Sequence, residues 1–322
     1  MLASRQQRAQ KNYEDRWGHI SKCIDLMGTG SFGDVFRLAT PRNLVVKICE
    51  TPDKYSNTVV SREIAIMRAC DHPNILGLIN VDKWKDYTYI FMDLCVPLTK
   101  FLRHRISEDQ LHEIVQGMVS GIEYLHRQHI MHRDLKPQNL LVNDGRLVIA
   151  DFGLSIQLPD DDKWELGRRD GDPYTREVCT RWWRPPEVIL QLPYTWRIDI
   201  WSMGCIVYEL VLNFLGVPNA VLLPAPHTRD QDEPEDDQLV LILHLLGSPS
   251  PTVKAQLAKC PLHEYAVRSL KENVPPKPMP EGMPPQYEEI IRSTMRWLPQ
   301  DRSSAANVLA IFDTSPKRLK TE

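Results

Sequence analysis

The sequence predicts an α+β protein built as two unequal lobes, a small β-rich lobe carrying one helix and a larger helical lobe. Three observations carry this. Short alternating strands dominate from Trp17 to Phe91; one segment within them, Ser56 to Cys70, has helical period; and from about Pro97 to Phe312 helical periodicity prevails. The division is then a tail over 1–16, a small lobe over 17–96, a large lobe over 97–313 and a second tail over 314–322. Residues 1–16 and the acidic, Pro-rich stretch Pro224 to Asp237 (PAPHTRDQDEPEDD) read as solvated, mobile segments. No internal repeat is visible.

Composition narrows the class. A 322-residue chain with 42% apolar residues, 25% charged residues and a net charge of -3 is an ordinary soluble globular protein, not a polybasic nucleic-acid binder. Seven cysteines stand singly, with no CxxC pair, against a disulfide framework or a zinc site. The polar N-terminus lacks the apolar core of a signal peptide. The most apolar long run, Ile198 to Val217, carries Asp199, Glu209 and Asn213, which favours a buried helix over a membrane span. The expectation is an intracellular protein of the cytoplasm or nucleus, with neither nucleic acid nor membrane as partner.

The small lobe opens on GTGSFG, with Gly28, Gly30 and Gly33. A dinucleotide-binding fingerprint needs a helix after the glycines, but Asp34 to Ala39 alternates like a strand and a turn at Pro41-Arg42-Asn43 leads to a second strand, Leu44 to Cys49. A Walker A loop needs Lys and Ser or Thr after the last glycine, where this chain has Asp34 and Val35. What remains is a hairpin whose backbone amides can close over phosphates, or a plain hairpin turn. Lys47 lies in the apolar strand that follows, where a lone ammonium is costly to bury. On the next segment Val60, Glu63, Ile64 and Met67 share one helical face, so Glu63 is a natural ion-pair partner for Lys47.

In the large lobe Ser107 begins a helix and Gln110 completes a capping box, with Leu111, Ile114, Val115, Met118, Ile122 and Leu125 as the buried stripe. His112, His126 and His129 are read as ordinary polar residues. NLLVNDGRLVIADFG then reads as two strands about an Asp144-Gly145 turn. A two-residue turn sets Asn139 opposite Ala150, with Asp151 next along, so an amide oxygen and a carboxylate form a hard-oxygen site for Mg2+ completed by ATP phosphates. Asp134, in the loop His132-Arg133-Asp134-Leu135-Lys136-Pro137, brings a proton acceptor and a lysine to the same region.

With these residues the chain resembles the eukaryotic protein kinase superfamily from about Trp17 to Phe312. The ordered set is GTGSFGDV, Lys47, Glu63, HRDLKPQN (His132 to Asn139), DFG (Asp151 to Gly153) and RPPE (Arg184 to Glu187), with DHPNI, DIWSMGC and DRSS as further landmarks. The resemblance implies a bilobal fold with ATP in the cleft. Gly28, Thr29, Gly30, Ser31, Gly33 and Val35 would cover the nucleotide, and Met92 and Leu94 would offer hinge backbone groups behind a bulky Phe91. Lys47, held by Glu63, would grip phosphates, while Asn139 and Asp151 would hold Mg2+. Asp134 would receive or orient the hydroxyl of a protein substrate, and Lys136 with Thr180 gives the Ser/Thr-specific pattern. Because Lys47, Asp134 and Asp151 all stand, an active enzyme is expected rather than a pseudokinase scaffold.

SREI (Ser61 to Ile64) and YTREVCTRWWRPPEV (Tyr174 to Val188) are closest to the cyclin-dependent and mitogen-activated branch. Tyr174-Thr175, in place of Thr-x-Tyr, leans toward the cyclin-dependent side. That resemblance implies Thr175 as a regulatory phosphosite paired by Arg133 and Arg62. It also implies either a cyclin-like regulatory subunit covering Val59 and Ile66 on the Ser56 to Cys70 helix, or a partner-independent kinase acting on other kinases. Two departures stand out: Val45 replaces a usually small residue, and the PSTAIRE string is incomplete.

Overall fold

The computed structural model describes residues 2–30, 33–158, 178–224 and 236–314. In the small lobe, helix α1 (Leu2–Trp17) precedes strands β1 (Cys23–Thr29), β2 (Asp34–Leu38) and β3 (Leu44–Glu50), helix α2 (Lys54–Ala69), and strands β4 (Asn80–Trp84) and β5 (Tyr87–Asp93). The strands form one antiparallel sheet in the order β1-β2-β3-β5-β4. Helix α2 starts where the Asp53 carboxylate accepts the Ser56 N–H at 2.9 Å, satisfying one of the orphan donors of its first turn.

Residues paired across an antiparallel ladder share a face. Phe36 pairs with Val46, Val46 with Phe91, and Ile48 with Tyr89, so these line the outer face. Val35 pairs with Lys47, Lys47 with Ile90, and Val45 with Met92, so these line the face turned to the other lobe.

The expected mobile tail over 1–16 is instead helix α1, laid across that outer face. Ala9 and Tyr13 are buried, and Trp17 packs against the same cluster of Phe36, Leu38, Val46, Ile48, Tyr89 and Phe91. The Tyr13 and Tyr89 rings meet edge to face at 6.0 Å, as do those of Trp17 and Phe91. Ala9, Tyr13 and Trp17 recur every four residues, a narrow apolar stripe that the polar composition of the segment hides.

The large lobe runs through β6 (Val96–Pro97), α3 (Leu98–Phe101), α4 (Glu108–Arg127), β7 (Ile130–Met131), β8 (Leu140–Asn143), β9 (Arg146–Ile149) and β10 (Ile156–Gln157). It continues with α5 (Pro186–Ile189), α6 (Arg197–Phe214), α7 (Asp236–Leu246), α8 (Pro251–Leu257), α9 (His263–Ser269), α10 (Pro285–Thr294) and α11 (Ala305–Thr314). Helix α4 begins in the predicted capping box, Ser107 Oγ accepting the Gln110 N–H and Gln110 Oε1 the Ser107 N–H. Its stripe of Leu111, Val115, Met118, Ile122 and Leu125 is buried. The apolar run of α6 is buried at every residue from Ile198 to Val211, as a helix enclosed by protein on all sides must be. Of the expected mobile stretch Pro224 to Asp237, residues 225–235 lie outside the described residues and the last two open α7; of the second tail, 315–322 lie outside them.

Two landmarks far apart in sequence meet in the core of this lobe. Glu187 and Arg302 form a bidentate ion pair with both contacts at 2.7 Å, and both side chains are essentially inaccessible.

Candidate active site

Strands β8 and β9 pair with Leu140 opposite Ile149 and Asn143 opposite Arg146, the register expected of a two-residue turn. Asp144 and Gly145 supply it with φ of 46° and 79°, the left-handed pair that a type I′ hairpin requires. At the open end, the Ala150 N–H donates to the Asn139 carbonyl at 2.9 Å, and Asp151 follows with φ 65°. The hairpin thereby carries Asn139 and Asp151 to the mouth of the cleft.

The preceding loop is anchored from below by Asp199 of α6. Its buried carboxylate accepts the backbone N–H groups of His132 and Arg133, each at 2.9 Å, and lies 3.0 Å from His126 Nε2. Burial pushes the Asp199 pKa up, but the hydrogen bond from His126, its charge interaction and the backbone donors outweigh it, and the net shift is downward. The fixed loop aims Asp134 at Thr180 and Lys136. Asp134 Oδ1 accepts from Thr180 Oγ1 at 2.7 Å and from the Thr180 N–H at 3.0 Å. Lys136 Nζ donates to Asp134 Oδ2 at 2.7 Å and to Thr180 Oγ1 at 2.8 Å. Asn139 Nδ2 donates to the Asp134 carbonyl at 2.8 Å, which leaves the Asn139 amide oxygen as an acceptor.

Across the cleft, Lys47 Nζ lies 2.5 Å from Glu63 Oε1 and 3.2 Å from Asp151 Oδ1. Burial disfavours the Lys47 ammonium, yet the Asp151 and Glu63 carboxylates together more than reverse this and hold its pKa above the ordinary value. Lys47 in turn draws the Asp151 pKa down against burial. Lys47 and the Asp151 carboxylate are therefore ionised at neutral pH. The Asp151 side chain is 44% exposed, so its carboxylate still faces the cleft.

The glycine-rich hairpin roofs this cleft, with the Gly30 N–H donating to the Gly33 carbonyl at 2.9 Å. Gly33 is required by packing, since a Cβ there would fall 2.8 Å from the Ile48 carbonyl and from Cys49 Sγ. A Cβ on Gly28 would meet nothing within 4 Å. Val35 lies beside Lys47 under the same roof. Ser31 and Thr175 are outside the described residues.

The hinge differs from expectation by one residue. Phe91 does not look into the cleft but out toward Trp17, and Met92, beside Val45, takes the back of the pocket. The Leu94 N–H is already spent on the Asn43 carbonyl at 2.7 Å, on the β3 side. Peptide groups alternate sides along an extended strand, so those of residues 93 and 95 turn the same way as the Phe91 carbonyl, which bonds the Ile79 N–H. Strand β4 pairs no further than Asn80 opposite Phe91, so nothing from the sheet covers Asp93 and Cys95. The backbone groups turned to the cleft are those of Asp93 and Cys95, not of Met92 and Leu94. The period-2 rule could have found this by counting from Lys47, but only with the β3–β5 register in hand.

For α2, read either as a face for a subunit or as a helix in a partner-independent kinase, the two apolar positions are covered by the chain itself. Val59 and Ile66 are 7% and 2% exposed within the single chain. His126, read as an ordinary polar residue, is instead a support of the Asp199 anchor. Its signal lay in the pairing with a buried aspartate 73 residues away, which no local pattern reports.

The donors gathered here suit a nucleotide with a hard divalent cation. The amide oxygen of Asn139 and the carboxylate of Asp151 are oxygen ligands, and Lys47 stands beside them for phosphate oxygens. No group of three His, Cys, Asp or Glu capable of holding a metal occurs among the described residues, so a cation here would draw its remaining ligands from phosphates and water.

A sheet-roofed cleft with a lysine–glutamate pair above and an aspartate–lysine–asparagine loop below defines a phosphotransferase of the protein kinase type. Comparison with known proteins agrees: a model described as "Protein kinase domain" matches residues 22–311. Cyclin-dependent kinase F-3 of Oryza sativa subsp. japonica is 33% identical over 303 residues, covering 89% of this chain and 63% of its own length. Cell division control protein 2 homolog 1 of Trypanosoma brucei brucei is 29% identical over 313 residues, covering 89% and 95%. Mitogen-activated protein kinase 12 of Danio rerio is 30% identical over 308 residues, covering 90% and 77%. The chain spans somewhat under two thirds of the rice protein's length and nearly all of the trypanosome protein's. This chain belongs to the protein kinase domain family, in its cyclin-dependent-kinase-like branch, and is a protein Ser/Thr kinase. Kinases of this family use ATP with a divalent metal.

Proposed function

We propose that the cleft transfers the γ-phosphoryl group of ATP to a Ser or Thr hydroxyl with the residues described above in defined roles, and that it does so without a subunit holding α2 in place. One observation carries this reading: in the single chain Lys47 already meets Glu63 at 2.5 Å and Asp151 at 3.2 Å. A helix swung away from the cleft could not make the first contact, and a displaced Asp151 could not make the second.

In this reading Asp134 orients the substrate hydroxyl and receives its proton as the new P–O bond forms and the bond to the ADP oxygen breaks. Lys136, held by Asp134 and Thr180, offsets charge on the transferring group, and Lys47 grips the α and β phosphates. Asn139 and Asp151 would hold Mg2+, which supplies charge neutralisation on the phosphates when bound. The peptide groups of Asp93 and Cys95 bind the adenine edge, while Val45 narrows its roof and Met92 closes its back. Thr175 is kept as the proposed regulatory phosphosite. Arg133, its proposed partner, is buried, its guanidinium donating to the Leu154 carbonyl at 2.6 Å and to Tyr194 Oη at 3.2 Å. The cytoplasm or nucleus remains the proposed location, supported by seven free cysteines.

A second reading is favoured by kinship to proteins named cyclin-dependent kinase: a cyclin-like subunit docks on α2. One assay separates the two. The purified chain, phosphorylated at Thr175, is incubated with Mg-ATP and a Ser/Thr peptide library, alone and with cyclins. Strong phosphorylation alone, unchanged by cyclins and lost in Asp134→Asn, supports the first reading; activity only with a cyclin supports the second. No phosphorylation under any condition overturns both.

A further inference from the structure

Strand β1 is poorly held by the sheet that contains it. It is an edge strand, pairing among the described residues with β2 alone; its register breaks between Cys23 and Asp25 and again between Leu26 and Gly28; and Ile24 and Leu26 are 48% and 45% exposed. Yet β1 is one leg of the hairpin that roofs the cleft, so its mobility is the mobility of that roof.

Helix α1 grips this strand at both ends. Near the start of β1, Gln10 Nε2 donates to the Cys23 carbonyl at 3.2 Å. At the far end, Gln6 Nε2 donates to Thr29 Oγ1 at 3.0 Å, and Arg5 Nη2 donates to the Gly30 carbonyl at 3.1 Å. The same guanidinium forks onto Asp34, the first residue of β2, with contacts of 3.1 and 2.8 Å. The Asp34 carboxylate is 2% exposed, while Arg5 is 29% exposed. One side chain thus crosses the loop end of the hairpin, tying the backbone of one leg to a buried carboxylate on the other. A planar, five-donor guanidinium makes both contacts at once, which an ammonium cannot match.

We propose that Arg5 is a positioning residue for the nucleotide: α1 splints the glycine-rich hairpin from outside the cleft, and the Arg5 clamp on Gly30 and Asp34 sets how tightly the chain binds Mg-ATP and Mg-ADP. The inference rests on the nucleotide reading of the cleft given above. Arg5 touches neither nucleotide nor substrate, so its loss acts on KM for ATP and leaves kcat at saturating ATP and KM for peptide in place. A charge-assisted pair of this exposure makes the expected weakening about three- to tenfold.

The test compares Arg5→Ala, Arg5→Lys and Arg16→Ala in the full chain. Arg16 serves as the control because it anchors the other end of α1, pairing with Asp82 of β4 at 3.6 Å, well away from the hairpin. Mg-ADP affinity is measured by calorimetry, amide exchange of residues 23–30 by mass spectrometry, and ATP and peptide kinetics by steady state. The proposal expects weaker ADP binding, a raised KM for ATP and faster exchange over 23–30 for Arg5→Ala. It expects an intermediate effect for Arg5→Lys and values unlike Arg5→Ala for Arg16→Ala. Wild-type ADP affinity and exchange in Arg5→Ala would overturn it. So would equal losses in Arg5→Ala and Arg16→Ala with matching falls in thermal stability, since the helix would then act only as packing. A wild-type chain that binds no Mg-ADP overturns the nucleotide reading itself, whereas intact wild-type binding with an inert Arg5 overturns the splint alone.

Discussion

At the scale of single residues, the cleft shows how neighbours decide what a side chain does. Asp134 is fixed by three hydrogen bonds from Lys136 and Thr180 and carries the proposed proton acceptor, so Asp134→Asn is expected to lower turnover by a factor of about 10² to 10⁴ with little change in thermal stability. Lys47→Met should be equally inactive but less stable, because it leaves Glu63 buried without its cation. Peptide kinetics and thermal melts on the two variants check both statements. Glu209 of α6 provides a pH test. Its carboxylate accepts from Trp183 Nε1 at 3.1 Å and from the Leu222 N–H at 2.9 Å, yet burial dominates and lifts its pKa from 4.5 to about 8. The folded chain then holds a proton there that the unfolded chain has lost between pH 4.5 and 8, so this residue's contribution to stability declines as pH rises through that window. Glu209→Gln should flatten that part of the stability–pH curve, whatever it does to the overall height. An unchanged slope in denaturation at pH 5, 6, 7 and 8 would contradict this.

At the scale of elements, α1 and α2 occupy opposite faces of one sheet and divide its apolar residues between them. Alternation along β3 sends Val46 and Ile48 to α1 and Val45 and Lys47 to the cleft. Tyr13 is the largest fully buried side chain that α1 contributes, and Tyr13→Ala is expected to destabilise the chain by about 3–5 kcal/mol. Urea denaturation measures the loss, and amide exchange should localise the loosening to α1 and the outer strands. Because Val59 and Ile66 are already buried, charging either should unfold α2 locally and reduce activity by disturbing Glu63, with or without an added subunit.

At the scale of the whole molecule, residues far apart in sequence tie the substrate-facing segment to the base of the large lobe. Glu187 and Arg302 lie 115 residues apart and close a bidentate pair in a site from which water is excluded. Removing one partner strands the other charge, so Arg302→Ala should cost about 3–5 kcal/mol and loosen the segment around Thr180. Arg302 also donates to the Arg296 and Arg197 carbonyls and lies over the Trp201 ring, which links α6 to the same knot. Chemical denaturation gives the magnitude. Replacing both charges by Leu and Met should recover part of it.

Much of this protein was decided by its sequence alone, wherever the determinant is local. Asp144-Gly145 sets the β8–β9 register through its own left-handed backbone, and that register places Asn139 beside Asp151. The Ser107–Gln110 box begins α4 because both halves lie within one helical turn. The Lys47–Glu63 pair was legible because each charge sits on an apolar face and needs a partner. Other features waited on the fold. The α1 stripe is three residues in a polar segment, and only the aromatic face of the sheet gives it something to bury against. The hinge position depended on how β5 pairs with β3, since a shift of one residue turns every side chain and peptide group to the opposite side. The His126–Asp199 and Glu187–Arg302 contacts join segments that meet only when the large lobe packs. Short-range stereochemistry speaks through neighbouring residues, but which distant surfaces bury one another is settled by the collapsed chain as a whole.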